Sequence, residues 1–235
     1  MSNHSLFEWP LLTPTQRTKL LRYAKRALKA QLCLVQKPGS SILHHTLNGQ
    51  DRHLAMNHYP KGDRIDHATG AQYFYHCHRE NYENHEHGHF HCFIRYPHIP
   101  KRIKPAPLDD WDKYIDNPMT HLIAIGMNVH GEPIRLFTVN RWITSEIWYN
   151  AKHANANLNR FKMTLTHDPY WQPLDQWVEA MLHLFAPQIK WLHQARDEAV
   201  LKHGPSVYND ESIEELSSLP IDLNTQIQWL MESPA

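Results

Sequence analysis

Apolar residues at Leu20, Leu21, Ala24, Ala27, Leu28 and Leu32 recur every three or four positions, the period of one helix face, until Lys37-Pro38-Gly39 ends the run. Thr13 suits the N-cap, Pro14 the first helical position and Gln16 the returning bond of a capping box, so a helix is expected over 13–37. Arg17, Lys19, Arg22, Lys25, Arg26 and Lys29 decorate its polar side and read as a solvated face. From Ser40 to Gly70 the chain is polar and punctuated by Asn48-Gly49, Tyr59-Pro60-Lys61-Gly62-Asp63 and Thr69-Gly70, which suits short strands between turns. The strongest strand signals follow at 71–79 and 87–96. Pro97, Pro100, Pro105 and Pro107 mark a long loop, and 121–128 with 134–140 form a second hairpin pattern through His130-Gly131-Glu132-Pro133. The helical period then returns over 144–161 and 174–203, the latter closed by Gly204-Pro205, with shorter helical pieces around 211–217 and 223–230.

A helix, then antiparallel strands, then helices is an α+β order. The expected architecture is an antiparallel sheet, open or curled into a partial barrel, with the N-terminal helix and the C-terminal helices packed against it. With 235 residues, 41% of them hydrophobic and 11% aromatic, the chain can bury a proper core. A single domain over 1–235 is expected, with its N-terminal helix at 13–37, a histidine-rich sheet region at 40–140 and a helical region at 144–235. No run approaches the roughly 18 apolar residues of a membrane span, and Met1 to Pro10 carries no basic-then-apolar leader. Cys33, Cys77 and Cys92 form no CxxC pair, so a cytoplasmic location is the expectation. Lys and Arg together number 24, as do Asp and Glu, and this balance disfavours a nucleic-acid partner, whose phosphates demand a basic excess.

Histidine changes the picture. There are 20, and 12 of them fall between His44 and His98. In the segment Tyr73-Phe74-Tyr75-His76-Cys77-His78-Arg79, strand alternation sets His76 and His78 on one face and Tyr73, Tyr75 and Cys77 on the other. In Glu86-His87-Gly88-His89-Phe90-His91-Cys92, the same alternation groups His87, His89 and His91. An antiparallel register with His76 opposite His89 and His78 opposite His87 collects all five imidazoles on one face. The alternative phase mixes imidazoles with large apolar groups on both faces and buries ring nitrogens without partners, so the first register is favoured.

Facing side chains in such a pair sit about 4.5–5.5 Å apart at Cβ, close enough for imidazoles to share one ion. His76, His78, His87, His89 and His91 are therefore candidate metal ligands. All-imidazole ligation suits a divalent Zn, Fe, Cu or Ni ion and disfavours Mg or Ca. Three ligands with an open position would support hydrolysis or oxidation of a small-molecule substrate, with Glu86 as general base and Arg79 holding an anionic group. A filled shell would instead suit a metal sensor or store. Glu83 and Glu86 border the cluster and could ligate the metal or orient a histidine, His121 could add a ligand if its strand is adjacent, and His58, His67, Tyr59 and Asp63 could reach the site from turns.

Tyr75-His76-Cys77-His78-Arg79 followed by Glu86-His87-Gly88-His89-Phe90-His91 resembles the paired motif of an uncharacterised bacterial domain-of-unknown-function family. The likeness extends from His58 through Arg141 to Trp148 and implies no particular reaction. His87-Gly88-His89-Phe90-His91-Cys92-Phe93 is also similar to the histidine-triad signature of nucleotide hydrolases and transferases, which would make His89 a nucleophile toward phosphorus; Gly88 departs from that signature. His89-Phe90-His91 with Tyr149-Asn150-Ala151-Lys152 is similar to the paired motifs of HUH nickases, which would make Tyr149 the nucleophile.

Overall fold

The computed structural model describes residues 7–36, 40–48, 57–77, 86–108, 116 and 118–233. Helix α1 (Pro14–Leu34) opens with the capping box: Gln16 N–H donates to Thr13 Oγ1 at 3.3 Å, and Thr13 N–H donates to Gln16 Oε1 at 2.8 Å. Its buried stripe is Leu20, Ala24, Ala27, Ala30 and Leu34, and the small residues at its centre let it lie close along α5 (Gln172–Leu184). A short α2 (Ile42–Thr46) follows.

Six strands, β1 (Tyr59–Ile65), β2 (Ala71–Cys77), β3 (Glu86–Arg95), β4 (Met119–Asn128), β5 (Pro133–Val139) and β6 (Glu215–Pro220), make one antiparallel sheet in chain order. The sheet is open, with β1 and β6 at its edges, so it does not close into a barrel among the described residues. Tyr73, Tyr75, Cys77, Phe90, Cys92, Ile123, Ile125 and Met127 project into the main core shared with α1, α5 and α6 (Ala186–His203). Trp177 of α5 packs on Phe90 with ring centroids 5.8 Å apart. A buried ionic cluster fastens β1 and β2 to α5: Arg64 Nε and Nη2 donate to Asp175 Oδ1 and Oδ2 at 3.0 and 2.6 Å, and the Tyr73 hydroxyl donates to Asp175 Oδ1 at 2.7 Å. No helix among the described residues is long and apolar enough to cross a membrane.

Three expected helices differ. Of the stretch expected over 144–161, only α4 (Ala151–Leu158) is helical beyond Thr144, the last residue of a short α3 (Arg141–Thr144). Ser145 turns left-handed (φ 48°), and the extended stretch after it docks on neighbours, Ile147 N–H donating to Met119 O and Trp148 O accepting from Ala106 N–H. The stretch expected over 174–203 breaks at Phe185, because Pro187 brings no N–H and its ring crowds the preceding turn. The helical piece expected at 211–217 is overturned by β6: an edge partner for β5 outweighs local preference, with Leu216 buried and Ser217 Oγ donating to Leu192 O at 2.9 Å. The last helix is present as α7 (Leu223–Glu232).

Candidate metal centre

Strands β2 and β3 pair with His76 facing His89, Tyr75 facing Phe90 and Cys77 facing Gly88. His89 and His91, two residues apart on β3, therefore share a face with His76. Their ring nitrogens converge: His76 Nε2 lies 2.6 Å from His89 Nε2, which lies 3.0 Å from His91 Nε2. One ligand atom from each of the three falls within 4.8 Å of the others, and the group could hold a metal ion. All three rings are buried, at 8, 5 and 2% exposure for His76, His89 and His91. Phe74, Phe93 and Phe137 wall the group, with Phe137 meeting the His89 ring edge-on at 4.9 Å.

A β-bulge alters the alternation at the start of β3. The pairing with β4 shifts between Glu86 and Gly88, so one residue is inserted there. His87 is carried away from the other histidines, and its Nδ1 lies 2.7 Å from the Tyr75 hydroxyl in the core. Glu86 takes the place on the histidine face: its Oε1 lies 2.9 Å from His89 Nδ1, while Oε2 accepts from Arg135 Nε on β5. Gly126 makes room for this pair, because a Cβ there would meet the Glu86 carboxylate and stand 2.8 Å from Arg135 Cγ. Arg135 continues to Glu215 on β6 and lies 3.8 Å over the Phe137 ring.

His121 of β4 extends the cluster, its Nε2 lying 3.1 Å from His91 Nδ1. When His89 donates from Nδ1 to Glu86 and His91 from Nδ1 to His121, the lone pairs on both Nε2 atoms face the same point. Facing lone pairs repel, and a shared cation removes that repulsion. Two nitrogens on one tetrahedral ion, each 2.0–2.1 Å from it, stand about 3.3 Å apart, so an ion would spread His89 and His91 from 3.0 Å by about 0.3 Å and His76 and His89 from 2.6 Å by about 0.7 Å.

The electrostatics favour neutral rings. Burial, and then the neighbouring His89 and His121, hold His91 well below the ordinary imidazole pKa. Burial, followed by Arg196 and His193, does the same for His121. Burial pushes the Glu86 carboxyl up, but the bonds from His89 and Arg135 outweigh it and keep the group below the usual carboxylate range. Behind His121 lies Glu146, which accepts from the His121 backbone N–H at 2.6 Å and from the Thr120 and Thr144 hydroxyls at 3.1 Å each. Burial raises its pKa to about 7 against those bonds.

Among the residues expected at the site, the structure brings together His76, His89, His91, Glu86 and His121. His58 also reaches this face, stacking on Phe74 with centroids 3.6 Å apart and meeting Asp63 Oδ1 at 2.8 Å. His87 is held apart by Tyr75, and His78, Arg79 and Glu83 lie outside the described residues. Tyr149, the nucleophile of the nickase likeness, is wholly buried in the main core. Sequence reasoning missed Arg135, which holds the Glu86 carboxylate from β5. The available signal was Gly126, a lone glycine within the apolar run from Leu122 to Met127, which marks a close approach or a bulge.

Residues 21–221 match the family described as Domain of unknown function (DUF6969), and the chain belongs to that family. No curated protein and no solved structure matches it.

Proposed function

We propose that this member of the family is a metal-dependent enzyme, a hydrolase or an oxidoreductase, whose centre is one divalent Zn, Fe, Cu or Ni ion held by the Nε2 atoms of His76, His89 and His91. The observation that carries this reading is the convergence of those three nitrogens on one buried point, with partners on the far side of two of the rings. Three protein ligands with a further position left for water or substrate is the composition of catalytic rather than structural zinc sites. Bound there, the metal supplies Lewis acidity toward water or, as iron or copper, an electron-transfer centre for oxidation.

The protein's own groups set the geometry. Glu86, with both oxygens engaged, acts here as a positioning residue that fixes the tautomer and aim of His89, and Arg135 anchors Glu86 in turn. His121 does the same for His91. From the sequence alone, Arg79 is proposed as the holder of an anionic substrate group; a fourth ligand from His78 would fill the shell and favour a metal store. The histidine-triad alternative has less support, because the His89 Nε2 that would attack phosphorus is buried against His76 Nε2 and His91 Nε2 at 2.6 and 3.0 Å.

Elemental analysis of protein purified without a histidine tag tests the reading. One transition metal per chain is expected, with His89→Ala abolishing it and Glu86→Gln lowering affinity by about 10–100-fold, as outer partners of metal ligands do. Protein that is metal-free and has no affinity for added Zn, Cu, Ni or Fe(II) would end the proposal. X-ray absorption separates enzyme from store: three nitrogens plus an exchangeable oxygen support catalysis, and a shell filled by protein atoms refutes it.

A further inference from the structure

We propose that a cavity of about 720 Å³ on the helical side of the sheet binds a phosphorylated small molecule, independently of the histidine centre. It is walled by α1, α5, the turn between β1 and β2, and the segment after α4. Because α5 packs on Phe90, which projects from the sheet opposite His89 and His91, the two sites lie on different sides of the sheet. The volume falls in the range of small-molecule sites, about 300–1,000 Å³.

Charge identifies the ligand class. The chain as a whole has as many acidic as basic residues, yet this cavity collects Arg22, Arg26, Arg160 and Lys162 against one carboxylate, Glu179. That carboxylate is already used: Arg26 Nη1 donates to Oε1 at 2.8 Å and Met163 N–H to Oε2 at 2.9 Å. It therefore does not offset the other three cations. Helix α1 gives no relief either, since it contains no acidic residue, and Arg22 and Arg26 stand one turn apart as like charges, an unfavourable spacing on an isolated helix. On the opposite wall Arg160 Nη2 donates to His98 O at 3.0 Å, which holds its guanidinium, and Thr69 Oγ1 donates to Lys162 O at 2.6 Å, which ties the backbone of that segment to the turn between β1 and β2.

Cations on two walls of one recess are complementary to an anion between them. A phosphate monoester concentrates nearly two charges and three acceptor oxygens on one tetrahedral centre, which guanidinium groups from both walls can share. The cavity exceeds a bare phosphate and leaves room for an organic part. Tyr23, stacked on His183 with centroids 4.6 Å apart, supplies an aromatic wall for it. His183 is pinned by its Nε2–H bond to Phe161 O at 2.8 Å. A recess of this size in a chain without net charge suits a metabolite better than a nucleic acid, which needs an extended basic surface.

Calorimetry on the full chain, with pyrophosphate as probe and citrate as comparator, tests the site. Pyrophosphate is expected to bind at least about tenfold more tightly than citrate, and Arg22→Gln with Arg160→Gln should weaken it by about tenfold or more. Both arginines are exposed, so the double variant should fold; Lys162→Gln alone is a second, milder probe, and loss of pyrophosphate affinity is expected there too. His89→Ala should leave pyrophosphate binding unchanged. The proposal is overturned if pyrophosphate does not bind, if citrate binds as well, if the cavity variants bind like the parent, or if binding is lost in His89→Ala, which would place the anion at the histidine centre.

Discussion

Gly88 shows how one missing side chain shapes the histidine centre. A Cβ at this position would stand 2.7 Å from Cys77 Cα and 2.7 Å from the Tyr75 hydroxyl, and would also meet the backbone oxygen of His76. The glycine thus allows β2 and β3 to close where His76 faces His89, and gives the Tyr75 hydroxyl space to reach His87. Backbone atoms cannot step aside as a flexible side chain can. Gly88→Ala should therefore destabilise the fold by about 1–3 kcal/mol or more and separate the two strands at the site. Urea titration reads the first effect and metal stoichiometry the second; a variant with parental midpoint and full stoichiometry would show that the close approach is dispensable.

At the scale of elements, the sheet is held to its helices by polar as well as apolar contacts. Arg64 on β1 is clamped by Asp175 of α5, with side-chain exposures of 11% and 2%, and Tyr73 of β2 closes the cluster. Burial pushes the Asp175 carboxyl up, and the Arg64 and Tyr73 bonds only partly offset it. Removing the guanidinium would leave a buried carboxylate without its countercharge, so Arg64→Ala should cost about 3–5 kcal/mol, measured as a fall in the urea midpoint. A loss below about 1 kcal/mol would mean that the cluster behaves as a solvent-screened surface pair.

For the whole molecule, buried titratable groups set how stability follows pH, and they pull in opposite directions. His91 and His121 have folded pKa values depressed below 6.5, so the unfolded chain binds the extra protons and their stabilisation, complete above about 6.5, is lost as pH falls. Glu146 has its pKa raised from 4.5 to about 7, so the folded chain holds the extra proton. Its contribution is complete below about 4.5 and is lost as pH rises to about 7 and beyond. Glu146→Gln keeps an acceptor for His121 N–H and cannot ionise. Relative to the parent, this variant should gain up to about 3 kcal/mol between pH 5 and pH 8, read from denaturant midpoints at the two values. A difference that does not change with pH would show that Glu146 ionises normally in the folded protein.

The residues alone determined the α+β class, the capped first helix, the two hairpins and the pairing of His76 with His89, because each follows from a local period or from which face of a strand is apolar. Tertiary structure decided the rest. A bulge moved Glu86 onto the histidine face and His87 off it, which alternation cannot foresee, since one inserted residue resets the phase. Strand β6 formed where local preference suggested a helix, because the edge of β5 offered hydrogen bonds that no short window of sequence contains. Arg135, 49 residues from Glu86, and the basic cavity built from α1, α5 and the segment after α4 likewise exist only once distant parts of the chain are brought together.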